Sequence, residues 1–140
     1  MIDGLIITEL KKINNEKGSV YHGMRNTDVG YNGFKEVYFS CINEGVIKAW
    51  KMHKKMTLNL IVPVGEIRFN FIEVENGKII KNRSEFTIGQ SNYCRITVPP
   101  LIIFGFKGIS SSVNMVLNIA NYVHEDSECE NISENSFQFK

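Results

Sequence analysis

The stretch "GVIKAWKMHKKMTLNLIVPVGEIRFNF", residues 45–71, decides how this chain is read. It holds "GVIKAW" (45–50), "LNLIVPVG" (58–65) and the start of "EIRFNFIEV" (66–74), with the basic segment "KMHKK" (51–55) between the first two. Short apolar runs rich in Val, Ile and Phe, bounded by Gly, Asn and Pro, predict strands. Working outward, the pattern recurs in "FKEVYFSCI" (34–42), "KIIKN" (78–82), "YCRITVP" (93–99), "IIFGFKGI" (102–109) and "NMVLNIANY" (114–122). The Asn-Gly pair in "VENGK" (74–78) and the turn "INEG" (42–45) are hairpin signals. Only "LIITELKKI" (5–13) carries a weak helical spacing, and it is the one helix expected. Many short strands without alternating helices predict an all-β jelly-roll barrel, as one domain over residues 1–140.

Composition narrows the function classes. A hydrophobic content of 43% with 22% charged residues is that of a globular domain. The net charge of +1, with both signs dispersed, argues against a nucleic-acid partner. No run approaches the ~20 apolar residues that a membrane-spanning helix needs, and the lysines by position 11 make the start a poor secretion signal, so no membrane partner is expected. Cys41, Cys94 and Cys129 are odd in number and far apart, which suits a reduced, cytoplasmic protein. The tail "HEDSECENISENSFQFK" (124–140) reads as a polar surface return whose Phe137 and Phe139 could dock on a partner subunit.

The spacing of Gly45, then Lys51-x-His53 after five intervening residues, and then Gly65 resembles the first motif of the cupins, small double-stranded β-helix proteins. In that motif Lys51 stands at the first histidine position and Leu58 at the glutamate. In the second, "PPLIIF" (99–104) puts Phe104 at the histidine. A transition metal needs three or four converging N, O or S ligands, so His53 alone predicts a metal-free site.

Five further stretches resemble the nucleotide-sugar branch of the cupins in order and spacing. They are "NEKGSV" (15–20), "GVIKAWKMH" (45–53), "VPVGEIRFNF" (62–71), "VPPLIIFGF" (98–106) and "LNIANYVHEDSECENI" (117–132). Together they resemble the family of dTDP-4-dehydrorhamnose 3,5-epimerase and the dTDP-4-keto-6-deoxyhexose 3,4-ketoisomerases, as a divergent subgroup. The resemblance implies a cupin jelly roll, a symmetric homodimer and a nucleotide-sugar substrate used in surface polysaccharide biosynthesis, with no cofactor. It also marks departures. Lys51 replaces the epimerases' base, Leu58 lies near their enolate-stabilising lysine and Leu117 falls at their tyrosine. Against the ketoisomerases, His53 matches the second histidine of a His-x-His pair, and Tyr38 or Tyr21 could supply the tyrosine.

Lys51 and His53 are two apart in an expected strand, so both project to one face. His53 suits a proton-transferring base, and Lys51 an oxyanion stabiliser, or a base itself once buried; the alternative is a basic surface turn. Lys48 stands where the family's pyrophosphate-facing arginine would be and supplies charge without bidentate geometry. Arg68 and Arg95 either face inward to a carboxylate or phosphate, or outward to water. Asn59 and Asn118 could bind sugar hydroxyls or act as structural amides. Trp50 and Tyr38 could stack on a base or sugar, or fill the core. Glu36 could order His53, pair with Arg68 or sit at the surface. The expected catalytic set is thus His53, Lys51 and Tyr38, and the substrate-binding set Lys48, Arg68, Arg95, Asn59, Asn118, Trp50 and Glu36. Two functions fit: epimerisation or isomerisation of a dTDP- or other nucleotide-linked 4-keto-6-deoxy sugar, or non-catalytic binding of a sugar nucleotide.

Overall fold

The computed structural model describes residues 1–140 and contains strands and single 3-10 turns but no α-helix. The strands are β1 (Ile6–Glu9), β2 (Lys12–Ile13), β3 (Val20–Tyr21), β4 (Glu36–Ile42), β5 (Ile47–His53) and β6 (Leu58–Val64). They continue with β7 (Glu66–Glu75), β8 (Ile79–Gly89), β9 (Cys94–Val98), β10 (Ile103–Gly108), β11 (Asn114–Ala120) and β12 (Cys129–Asn131). One sheet has the order β1-β9-β6-β11-β4 and the other β12-β5-β10-β7-β8, with all named pairings antiparallel. The architecture is the all-β cupin jelly roll.

The expected helix over 5–13 is instead β1 and β2. Exposure alternates along Ile6–Glu9 with the period of a strand, and the open edge of β9 takes its backbone in register from Ile6–Thr97 to Glu9–Cys94. "KIIKN" is only the start of an 11-residue strand, because β8 pairs along the whole of β7. The basic segment 51–55 is strand through His53, so it is not a surface turn throughout.

The core lies between the sheets. Leu58, Leu60 and Val62 of β6 and Ile96 and Val98 of β9 meet Ile67, Phe69 and Phe71 of β7 and Phe104 of β10. Along these core strands alternate residues face inward, and each such buried side chain contributes about 1.5–3 kcal/mol.

Both outer faces are covered in part by the chain itself. Over the first sheet lies the loop around residues 22–33, beneath which Arg95 is 0% exposed. Its guanidinium donates to the Gly23 carbonyl at 2.8 Å, the Val29 carbonyl at 3.1 Å and Asp28 Oδ2 at 3.2 Å. Gly30 lies against the sheet: its φ is +88° and a Cβ there would collide with Thr97 Oγ1. Over the second sheet lies the C-terminal tail. Ile132, Phe137 and Phe139 close on Trp50, Ile72 and Ile103, and Asn70 exchanges hydrogen bonds with the Lys140 backbone at 2.9 and 3.0 Å. Phe137 and Phe139 therefore pack on their own chain, where a partner-docking role was expected of them.

Candidate functional site

Strand β5 builds one wall of the site through an irregularity in its pairing with β10. Phe104 faces Lys51 and Phe106 faces Lys48, so Ala49 and Trp50 together oppose Gly105. A bulge of this kind re-aims side chains, and here Lys48 and Lys51, three apart, both border one cavity. Gly105 is needed beneath it, since a Cβ would lie 2.7 Å from Ala49 Cβ and 3.1 Å from Trp50 Cε3.

The cavity, about 420 Å³, opens between the two sheets. Leu60, Phe69, Phe104, Phe106 and Val116 form its apolar wall, and Tyr38, Ser40, Lys48, Lys51, Asn118 and Asn131 its polar one. Lys48 Nζ donates to the Cys41 carbonyl at 2.8 Å and lies 6.0 Å from the Phe106 ring centroid. Asn118 Nδ2 donates to Tyr38 Oη at 2.8 Å. Burial pushes the Tyr38 phenol above its usual value of 10, against the Asn118 bond, which lowers it.

His53 sits beside this cavity, behind Phe104, with the two rings 20° from parallel and their centroids 6.2 Å apart. It is 4% exposed, and its Nδ1 lies 2.5 Å from Glu128 Oε1. The other carboxylate oxygen accepts the Lys54 amide at 3.0 Å and the Lys55 amide at 3.4 Å. Desolvation pushes the Glu128 pKa up, but the His53 bond and charge and the two amides outweigh it and bring the carboxyl below its usual range. An ionised carboxylate only accepts, so the Nδ1 of His53 carries the proton. Desolvation holds the imidazole below 6.5, against the Glu128 bond and charge; the charge of Lys51 lowers it further. The neutral ring therefore keeps a free lone pair on Nε2.

Of the residues expected from sequence, Lys48, Lys51, Tyr38 and Asn118 come together at the cavity, with His53 adjoining it. The others do not join them. Trp50 borders the cavity, but its indole is buried under the tail, edge-on to Phe137, with Nε1 donating to the Glu134 and Phe137 carbonyls. Asn59 is a structural amide: it donates to the Gly30 carbonyl at 3.0 Å and accepts from Thr97 Oγ1 at 2.6 Å. Arg95 faces inward only to Asp28 under the covering loop, and Arg68 is exposed, with Nε 3.4 Å from Thr87 Oγ1. Glu36 accepts the His124 amide at 2.7 Å, Tyr21 donates to Gln90 at 3.1 Å, and neither lines the cavity. Sequence reasoning missed Glu128 and Asn131, both in the acidic return; the pairing of Cys129–Asn131 with Lys51–His53 brings them in.

No group of three or more His, Cys, Asp or Glu side chains is gathered as a metal site. Leu58 and Phe104, at cupin ligand positions, belong to the apolar core.

No family model matches the sequence, and no curated protein matches it. Solved structures do. A dTDP sugar isomerase from Desulfovibrio desulfuricans G20 superposes with a TM-score of 0.90 at 28% identity, over 99% of this chain and 91% of that one. The sugar 3,4-ketoisomerase QdtA from Thermoanaerobacterium thermosaccharolyticum, solved with TDP, superposes at 0.79 with 13% identity, over 97% and 93% of the two chains. The 3,5-epimerase RmlC of Legionella pneumophila Philadelphia 1, solved with dTDP-4-keto-L-rhamnose, superposes at 0.82 with 18% identity, over 95% and 74%. The fold of the chain is that of the RmlC-type cupins.

Proposed function

We propose that the chain is a cofactor-independent epimerase or isomerase of a dTDP-linked 4-keto-6-deoxy sugar. The observation that carries this reading is the convergence of Lys51 and Tyr38 on the cavity beside the His53–Glu128 pair. In this reading His53 Nε2 takes the proton from the carbon next to the ketone, and the C–H electron pair moves to form an enediolate. The Lys51 ammonium stabilises the oxygen that becomes negative. Tyr38 returns a proton at the opposite face of the same carbon or, in isomerisation, at the former ketone carbon, as the neighbouring hydroxyl gives up its proton and the O4 oxyanion takes one; Lys48 meets the pyrophosphate. Glu128 holds the imidazole in the tautomer that leaves Nε2 free.

The open edge of β4, with Phe39 64% exposed, supports a homodimer through this edge. Three free cysteines support work in the reducing cytoplasm.

The test is incubation with dTDP-4-keto-6-deoxy sugars in D₂O, followed by NMR. Deuterium at C3 alone supports a 3-epimerase, at C4 of a 3-keto product a ketoisomerase, and at both C3 and C5 a 3,5-epimerase. The position of His53 behind Phe104 favours a second reading, in which the cavity binds a sugar nucleotide without turning it over. TDP binding with no deuterium incorporated from any such sugar would establish it.

A further inference from the structure

Asn118 and Tyr38 stand directly opposite each other across β11 and β4, so strand register fixes their contact. On its other side Asn118 faces Leu60 of β6, which offers no polar group from its side chain. Asn118 is 5% exposed, it lines the cavity, and its Oδ1 is a buried acceptor with no partner. A buried polar atom of this kind is unfavourable until a donor reaches it.

The direction of the hydrogen bond carries the consequence. Asn118 gives its N–H to the phenol oxygen, so that oxygen acts as acceptor and its own O–H is free for a ligand. The amide thus presents an acceptor and, through Tyr38, the phenol presents a donor. We propose that Asn118 is the positioning residue for Tyr38, and that Asn118 Oδ1 and the Tyr38 hydroxyl together read a hydroxyl beside a ketone on the ligand. The ligand hydroxyl donates to Oδ1, Nδ2 donates to the phenol, and the phenol donates to the ketone oxygen. The three bonds run in one sense and reinforce one another. This rests on the reading of the ligand as a 4-keto sugar, which carries a hydroxyl beside its ketone, and adds the residues that recognise that hydroxyl, so that a 4-keto sugar lacking it is rejected.

The first measurement needs no substrate and no turnover. Tyrosine is labelled with ¹³C at Cζ, Tyr38 is assigned by Tyr38→Phe, and its titration is followed by NMR. Asn118→Ala removes the donor and Asn118→Asp replaces it with an acceptor-only group. The phenol pKa is expected to rise in both, further in Asn118→Asp, whereas an unmoved titration in the folded variants overturns the directional bond. The second measurement uses the unmodified protein, comparing the binding of dTDP-4-keto-6-deoxyglucose with its 3-deoxy analogue. The hydroxylated sugar is expected to bind at least ~10-fold more tightly, since a site built for a hydroxyl rejects an analogue without it. Equal binding overturns the α-hydroxy-ketone reading. If the titration moves and the hydroxylated sugar is preferred but no deuterium is exchanged, this inference stands and the enzymatic reading fails. If deuterium is exchanged and the titration does not move, the reverse holds.

Discussion

Glu128 and His53 are 75 residues apart in the chain, yet their side chains meet at 2.5 Å, with both groups almost out of reach of water. A carboxylate placed in this way orients the imidazole and supports the positive charge it acquires on taking a proton. Glu128→Gln keeps the shape but removes the charge, and it also lets the side chain donate to Nδ1. Deuterium exchange into a 4-keto sugar is expected to fall by ~100-fold or more, the lower end of what acid–base catalysis contributes. An exchange rate within about threefold of the wild type would remove Glu128 from the mechanism.

The acid limb of the pH profile follows from burial of His53. Its folded pKa is below the usual 6.5, so the neutral, proton-accepting ring persists on the acid side of that value. On the alkaline side, Tyr38 keeps its proton past pH 10. The exchange rate is therefore expected to show its acid inflection below pH 6.5 and no inflection from Tyr38 until above pH 10. Stability has a matching sign. The unfolded chain binds a proton at His53 more readily than the folded one, so the fold loses stability as pH drops from 6.5 towards the lower folded value. Glu128, also depressed, adds a loss at lower pH, as it is protonated in the unfolded chain before the folded one. Thermal melting at a series of pH values measures both; a melting temperature that rises on acidification through this range contradicts the assignment.

Lys51 borders the cavity, opposite Phe104 in the β5–β10 pairing. Removing its ammonium in Lys51→Met is expected to slow exchange by ~100-fold, as for loss of one oxyanion donor. Lys48→Met is expected to weaken TDP binding instead, because that lysine lies further along the cavity wall and is assigned to the pyrophosphate. Calorimetric titration with TDP separates the two: similar affinity in Lys51→Met and reduced affinity in Lys48→Met. The opposite pattern would exchange their roles.

Trp50 distinguishes a structural aromatic from a ligand-stacking one. Its ring lies 5.9 Å from Phe137 and 5.8 Å from Phe139, packed under the C-terminal tail. Trp50→Ala is expected to cost about 3–5 kcal/mol of stability, the range for deleting a large buried aromatic. TDP affinity of the protein that remains folded is expected to be unchanged. Chemical denaturation and calorimetry at a permissive temperature check the two halves separately.

These cases mark how far the residues could be read before folding. Short apolar runs such as "LNLIVPVG" disclosed the strands, and this one is nearly continuous because both faces of β6 are buried. The two-residue spacing of Lys51 and His53 placed them on one face because side chains alternate along a strand. Arg95 and Asn59 misled because a polar residue in an apolar strand signals a covered polar face, and local sequence does not say whether a ligand or a loop covers it. Here the loop around residues 22–33 does. Glu128 escaped because an acidic segment has no periodicity of its own; only pairing with β5 gives it a place. Lys48 was legible by motif, but its position beside Lys51 depends on the β10 bulge, which no spacing rule on β5 alone contains.

The tail that covers Trp50 also sets an order of events during synthesis. Chains emerge from the ribosome N-terminus first. All of the strands that frame the core, β4 to β11, precede residue 121, whereas Glu128, Asn131, Phe137 and Phe139 come after it. A nascent chain can thus close its core while His53 still lacks its carboxylate and Trp50, Ile72 and Ile103 still face water. Until the tail emerges, the chain presents an adhesive sheet face, the condition in which nascent proteins recruit chaperones or stick to one another.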